Sequence, residues 1–452
     1  MEINSYKGAT GLFDQHNHNE IVDFTGKVRK GKVRIQLMDH MPEIEQYRHQ
    51  WDRLIHKANG SVFQTFAWQG SWWKKFGGKN KLFILAFWDG DHLIGVAPFY
   101  IDRQKFFGVK LFKVLKFIGS DIPNEQGRGA FIDYSVSDFL DIIVDPGYDD
   151  EVAALLLHFL ANSTKYFDRI CLQETSEVSW VQRVLVPRMK QIRWEVEVQQ
   201  SDVCPVLYLN TDKGGDAFEQ FMQERKRRIR TQIRQLNRIM EEQKYFKVCR
   251  IQTEDELEYY FPQLVELHQK RWNDLGYPGS FSEGRYTEFL LDVFRKLLRE
   301  NKLWFVVVES ETKPIAFSTN MVQGKKVYEI MKAFDHSSSL TKYRPGNVAQ
   351  FYMISEALKA DFNEVHLLRG NERYKYALTD HDLKNYIVKT NIPKTDVKLK
   401  KWTLRISDHL KPVKFKLVRE FAVIGVHMKN LGLLRFPKHY ISNLNGRIKN
   451  HF

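Results

Sequence analysis

Two stretches roughly 200 residues apart follow one plan, and this repetition constrains the fold more than any other feature of the chain. Lys81–Ile101 (KLFILAFWDGDHLIGVAPFYI) and Lys302–Val322 (KLWFVVVESETKPIAFSTNMV) each read as strand, polar turn, strand, and they align by eye. Asp89-Gly90-Asp91 is the turn signal of the first hairpin. Further strands are expected at Leu111–Ile118 and Phe139–Val144 after the first hairpin, and at KVYEIMKAFD after the second, beyond a Gly324-Lys325 turn. A helix follows in each half, Asp149–Leu160 and Asn347–Asp361, then a strand, Asp168–Glu174 and Glu364–Gly370. The reading is α/β, with mixed sheets flanked by helices and built from two copies of one unit. A coincidence of two generic hairpins is the competing explanation.

A chain of 452 residues exceeds one ordinary core, which agrees with two domains. The expected boundaries are a loose leader at 1–32, a first domain at 33–205, a second at 206–395 and a basic tail at 396–452. The first domain should open with an amphipathic helix over Met41–Lys57 and an aromatic one over Phe66–Phe76. Between the halves lies a basic helix over 216–242, whose apolar stripe includes Phe221, Ile229, Ile233 and Leu236 among its arginines. Helices over Asp255–Asp274 and Ser282–Glu300 come next.

The net charge of +14 matters through its distribution. Lys401–Phe452 carries eleven Lys/Arg against Asp408 and Glu420, and the basic helix holds Arg225, Lys226, Arg227, Arg228, Arg230, Arg234 and Arg238. Such clusters attract phosphate, whether on nucleic acid, an anionic membrane or coenzyme A. No apolar run reaches the roughly 20 residues of a membrane span, and the N-terminus lacks a signal-peptide layout. Three separated cysteines, Cys171, Cys204 and Cys249, argue against a disulfide framework or zinc site and for a cytoplasmic setting. No HxxxH spacing supports a metal. Walker A, GxGxxG and GxSxG sequences are absent.

What remains is a small set of candidates. Tyr343-Arg344-Pro345-Gly346-Asn347 lies after a strand and before a helix, where backbone N–H groups could cradle a pyrophosphate. Arg344, Gly346, Asn347 and Val348 are therefore the donor-binding candidates, although Pro-Gly before a helix is equally an ordinary turn. Glu329 and Asp335 lie on or just after the third strand of the second half and are candidates for the base that deprotonates an acceptor. Glu329 is also a plausible salt-bridge partner. Tyr374 joins them as a catalytic candidate from the charged loop that closes the following strand. Arg369, Glu372 and Lys375 in that loop, with Arg271 and Trp272 at a helix end, are the substrate-binding candidates.

Together, Arg344-Pro345-Gly346 with its helix, VHLLRGNERYKY at Val365–Tyr376, QERKRRIRTQIRQLNR, and His268 with Arg271-Trp272 resemble the FemAB-related GNAT acyltransferases. The closest branch looks like the CelD-like proteins of cellulose biosynthesis. Trp68–Phe76 and SDFLDIIVDPG at Ser137–Gly147 also look like family elements. The resemblance spans residues 40 to 390. It implies a tandem pair of GNAT-like (acyl-CoA N-acyltransferase) domains, the second binding the donor. The implied reaction moves an acyl group, above all acetyl, from acyl-CoA to an amine or hydroxyl of a small molecule or a cell-envelope or exopolysaccharide precursor. The donor loop departs from the full Gln/Arg-x-x-Gly-x-Gly/Ala pattern. Two other readings stay open: an aminoacyl-tRNA-dependent Fem-type transferase whose basic helix meets RNA phosphates, and a non-catalytic adaptor held at the inner membrane surface by the basic tail.

Overall fold

The computed structural model describes residues 21–23, 33–106, 109–120, 136–209, 217–225, 227–242, 246–282, 284–311 and 313–391. Their strands are β1 (Ile21–Asp23), β2 (Val33–Met38), β3 (Lys81–Asp89), β4 (His92–Phe106), β5 (Val109–Phe117), β6 (Ile143–Val144) and β7 (Arg169–Ser176). The series continues with β8 (Val196–Tyr208), β9 (Lys247–Arg250), β10 (Leu303–Glu309), β11 (Pro314–Gln323), β12 (Lys326–Phe334), β13 (Glu364–His366) and β14 (Asp382–Asn391). The helices are α1 (Met41–Glu45), α2 (Arg48–Lys57), α3 (Phe66–Phe76), α4 (Asp149–Asn162), α5 (Val186–Gln191), α6 (Ala217–Gln223), α7 (Arg227–Glu242), α8 (Glu254–Asp274), α9 (Gly284–Arg299) and α10 (Pro345–Lys359).

All strands join one sheet, ordered β1-β2-β3-β4-β5-β7-β14-β8-β13-β12-β11-β10-β9, with β6 paired to β4. From β2 to β9 this order is a palindrome. β2, β3, β4, β5 and β7 run inward from one end as β9, β10, β11, β12 and β13 run inward from the other. Each series contains one parallel contact, β5 with β7 and β12 with β13, and is otherwise antiparallel.

At the centre the copies trade strands. β8 follows β7 in the chain but pairs with β13, while β14 follows β13 but pairs with β7. The exchanged strands also pair with each other, from Asp382↔Pro205 to Thr390↔Val196. The ladder of β8 with β14 ends at Pro205 and its ladder with β13 begins at Val206, so the expected 205/206 boundary lies inside a continuous strand.

Side-chain alternation divides the core into two layers. In β10, Leu303, Phe305 and Val307 belong to the large cluster shared with α3, α8 and α9. Trp304, Val306 and Val308 belong to the second cluster, with α10 and the apolar residues Phe221, Met222, Ile233 and Leu236 of α6 and α7. Trp68 of α3 meets Phe289 of α9 edge-on with ring centroids 5.0 Å apart, so the copies also share aromatic packing.

Several expected elements are shorter or broken. The helix over Met41–Lys57 divides at Gln46–Tyr47, where Tyr47 leaves helical geometry (φ −96°, ψ 7°) and packs on Trp88. The basic helix over 216–242 divides into α6 and α7. Of Phe139–Val144 only Ile143–Val144 pairs: Phe139 is left-handed (φ 53°), and Asp141 accepts the N–H groups of Ile142 and Val181 as well as that of Trp180. The strand at Glu364–Gly370 stops at His366, because Leu368 and Gly370 adopt positive φ. Ile21–Asp23, inside the expected leader, pairs with β2. The basic tail lies outside the described residues.

Candidate functional site

The site begins where two parallel strands part. β12 and β13 pair from Lys326↔Glu364 to Tyr328↔His366, and the ladder stops there. Tyr328 and His366 stack at that point, with centroids 4.8 Å apart and planes 15° from parallel. Glu329 is the first residue past the fork. Its side chain is buried, and Oε2 accepts a hydrogen bond from Gln350 Nε2 of α10 at 2.7 Å.

A β-bulge decides what Glu329 faces. The register with β11 runs Asn320↔Glu329 and then Thr319↔Met331, leaving Ile330 as the extra residue. The bulge puts Glu329 and Lys332, three apart, on one face, where simple alternation would oppose them. Lys332 Nζ lies 3.4 Å from Glu329 Oε1, an oxygen with no hydrogen-bond partner. The same ammonium lies 4.0 Å from the Tyr374 ring centroid, on the other prong of the fork. Burial lowers the Lys332 pKa, against the pull of Glu329. Desolvation, then Glu329 and Glu372, pushes the Tyr374 phenol upward, although that residue keeps 44% of its surface exposed.

The candidates fall into two groups. Glu329, Tyr374 and Glu372 gather around the fork through Lys332. Arg271 stands at its edge, with its guanidinium 5.4 Å from the Phe334 ring and in electrostatic reach of Tyr374. The others are committed elsewhere. Asp335 accepts from Lys313 at 2.8 Å and from the Ser337 N–H and hydroxyl. Burial would raise its carboxyl, but those bonds outweigh it and hold the group well below the usual carboxylate range, which makes it a weak base. Lys375 is buried, with its ammonium donating to the Leu368 and Arg369 carbonyls and paired with Glu372 at 2.9 Å, so it braces its own loop.

Arg369 reaches across to the first copy, pairing with Asp138 at 2.9 Å and Glu174 at 3.3 Å, and it holds the copies together there. The Trp272 indole donates to His268 Nε2 at 2.9 Å, and burial lowers that histidine's pKa to about 4, so it accepts as a neutral ring.

Of the donor-loop candidates, Arg344 lines a cavity of about 280 Å³ between α7 and the start of α10. Arg228, Thr231, Gln232 and Gln235 of α7 form one wall, Lys342 and Arg344 another, and its lining holds no carboxylate. Arg344 adopts φ 54° as the N-cap of α10. Its carbonyl accepts from the N–H groups of Asn347 at 2.9 Å and Val348 at 3.1 Å, and the Val348 side chain is buried in the second core cluster. Gly346 is buried as well, and a Cβ there would come 3.2 Å from Phe334 Cδ1, so this glycine answers to core packing.

Sequence reasoning missed Lys332 and Gln350, and it saw Arg228 only as part of a charged run. Strand alternation places Lys332 on the wrong face, and no pattern in the sequence marks the bulge. Among the described residues no His/Cys/Asp/Glu group could hold a metal, and no helix is long and apolar enough to cross a membrane.

Residues 223–376, which include α7, the cavity and the fork, match the family model described as an acetyltransferase (GNAT) domain. No curated protein matches the chain. Among solved structures, FemX superposes with a TM-score of 0.52 at 10% identity, covering 76% of this chain and 95% of that one. The lysylphosphatidylglycerol synthase L-PGS of Bacillus licheniformis gives 0.45 at 12% identity (82% and 96% covered). A tandem GNAT protein of the clavulanic acid pathway gives 0.41 at 9% (80% and 100% covered). The chain therefore has a GNAT-type acyltransferase fold, and the matched domain is the half that contains the fork and the cation-lined cavity.

Proposed function

We propose that the chain is an acyltransferase that moves an acyl group, above all acetyl, from acyl-CoA to an amine or hydroxyl of a small molecule or of a cell-envelope or exopolysaccharide precursor. The observation that carries this reading is the cavity at the start of α10, where Arg228, Lys342 and Arg344 surround a space free of acids. Cations beside a helix N-terminus suit a pyrophosphate, and the neighbouring fork gives an acyl arm a route to Glu329. In this reading Glu329 takes the proton from the attacking amine or hydroxyl as it adds to the thioester carbonyl. Arg271 and Tyr374 would border the acceptor. The proposed domains are 33–205 and 206–395, one per copy and joined through the continuous strand β8, with the donor in the second.

Calorimetric titration with acetyl-CoA and desulfo-CoA tests the reading. Saturable binding in the micromolar range, about −8 kcal/mol, supports it. A folded protein that binds neither ligand refutes it.

A second reading, transfer from aminoacyl-tRNA, draws on α7 alone. Arg227, Arg234 and Arg238 fall within about 40° of one another on the helical wheel and form an exposed stripe beside the cavity. It predicts tRNA affinity that falls steeply between low and physiological salt. A protein that binds neither CoA nor tRNA would point to the adaptor role, with the 396–452 tail as its proposed contact to anionic membrane.

A further inference from the structure

Lys332 is an unusual amine in this fold. The described lysines Lys313, Lys325 and Lys359 have side chains 60%, 54% and 71% exposed, each with its ammonium paired with a carboxylate. Lys375 is buried, but backbone carbonyls and Glu372 occupy its ammonium. The Lys332 side chain is only 17% exposed, and its nearest carboxylate oxygen, Glu329 Oε1, has no hydrogen-bond partner. Its Nζ also spans the fork, from Glu329 on β12 to the Tyr374 ring beyond β13. An acyl arm entering between the prongs would bring its carbonyl carbon up to this nitrogen.

We propose that Lys332 is a self-acylation site, whose Nζ accepts an acyl group from a thioester bound in the fork. The proposal rests on the acyl-thioester reading above. In the step, the ammonium first passes one proton to Glu329. The neutral amine then adds to the thioester carbonyl, the C–N bond forms and the C–S bond breaks. The departing thiolate takes the second proton and leaves as thiol, and Glu329 returns its proton to solvent. Lysine ammonium plus thioester thus becomes amide, thiol and one proton. Burial assists because it disfavours the ammonium, which cannot act as a nucleophile. The product loses the positive charge facing Glu329 and Tyr374, so the modification changes the electrostatics of the whole fork.

The test incubates the full chain with isotope-labelled acetyl-CoA, maps the label by peptide mass spectrometry and measures acetyl-CoA binding separately by calorimetry. Label is expected at Lys332 ahead of Lys313, Lys325 and Lys359. Lys332→Arg should bind acetyl-CoA without carrying that label, and Glu329→Gln should bind it but acylate roughly a hundredfold more slowly. Labelling with the small thioester S-acetyl-N-acetylcysteamine probes the amine without the phosphate cavity. If acetyl-CoA does not bind but the small thioester still labels Lys332 first, the donor reading fails and the self-acylation site stands. Bound acetyl-CoA with Lys332 unlabelled, label distributed by exposure alone, or no label at Lys332 from either thioester overturns the proposal.

Discussion

Arg344→Gly separates the proposed donor site from the fold that carries it. Arg344 lines the cavity and also holds a left-handed backbone, φ 54°, at the N-cap of α10. A non-glycine residue in that region costs about 1 kcal/mol or slightly more. Glycine removes this strain but adds about 0.5–1 kcal/mol of unfolded-state entropy. The two terms offset, and stability should stay within about 1 kcal/mol of the parent. Donor binding has no such offset. A charge-assisted contact contributes about 1.5–3 kcal/mol when well formed, and the exposure of Arg344 reduces that to about 1–2 kcal/mol. The variant should therefore bind acetyl-CoA roughly five- to thirtyfold more weakly, with a melting midpoint within a few degrees of the parent. Calorimetry at two salt concentrations and a thermal melt supply the readouts. Arg228 and Lys342 remain in the variant, so its residual binding should still weaken with salt. Affinity within about twofold of the parent, in a normally folded variant, would refute the assignment of this cavity to the donor phosphates.

Gly346→Ala should lower stability by about 1 kcal/mol, because its Cβ would press on Phe334 at 3.2 Å, and should leave donor affinity nearly unchanged; a large loss of affinity at full stability would show that the glycine serves the ligand instead. Glu174→Gln should stabilise the protein at alkaline pH. Burial, with help from Asp138 and Asp202, pushes the Glu174 carboxyl up to about 8 from an ordinary 4.5, despite Arg369. The native state then holds a proton that the unfolded chain releases, and stability falls as pH rises from about 4.5 to 8. Urea midpoints should therefore differ little between parent and variant at pH 4 and favour the variant by at least ~1 kcal/mol at pH 9; a constant difference would contradict this. Ending the chain after His381 deletes β14, which separates β7 from β8, so circular dichroism and gel filtration should detect loss of structure in both halves. An intact first half would mean that the exchange is dispensable.

The sequence revealed local structure well and long-range pairing poorly. The hairpins β3–β4 and β10–β11, α3, α4, α8 and α9 appear close to their expected positions because each advertises itself by period and turn residues within its own span. β8 and β14 gave no such signal. Much of Val196–Val203 is polar and partly exposed, and β14 alternates weakly, so only their mutual pairing and the flanking β7 and β13 make them strands. The fork was partly legible. Glu329 and Tyr374 were visible as charged and phenolic breaks in apolar passages. Lys332 was not, since one extra residue at Ile330 reverses the face on which it lies. Asp335, Arg369 and Lys375 drew attention by the same charge that their ion-pair partners consume.

If the two copies share one plan, their electrostatics must explain why only one is proposed to hold a donor. The helices that follow the forks differ where an anion would sit. α4 begins Asp149-Asp150-Glu151, whereas Lys342 and Arg344 precede α10 and its first turn has no acid. Carboxylates at a helix N-terminus stabilise the helix through its dipole, and they do so by occupying the potential that a phosphate would use. The forks differ in the same sense. Past the last β5–β7 pair, Leu115↔Ile170, comes Lys116, buried and paired with Asp102 at 2.7 Å. Past the β12–β13 pair comes Glu329, one oxygen of which has no hydrogen-bond partner. In the first copy acids fill the helix start and Lys116 is tightly paired. In the second the helix start stays cationic and Glu329 has a looser ion pair, with Lys332 Nζ at 3.4 Å. Strand exchange then ties the first copy to the second through β14 and β8, and Arg369 of the second copy is held by Asp138 and Glu174 of the first. The first copy thus acts on the loop that carries Tyr374 and Glu372 by fixing Arg369 a few residues upstream, and a perturbation at Glu174 should reach the fork by that route.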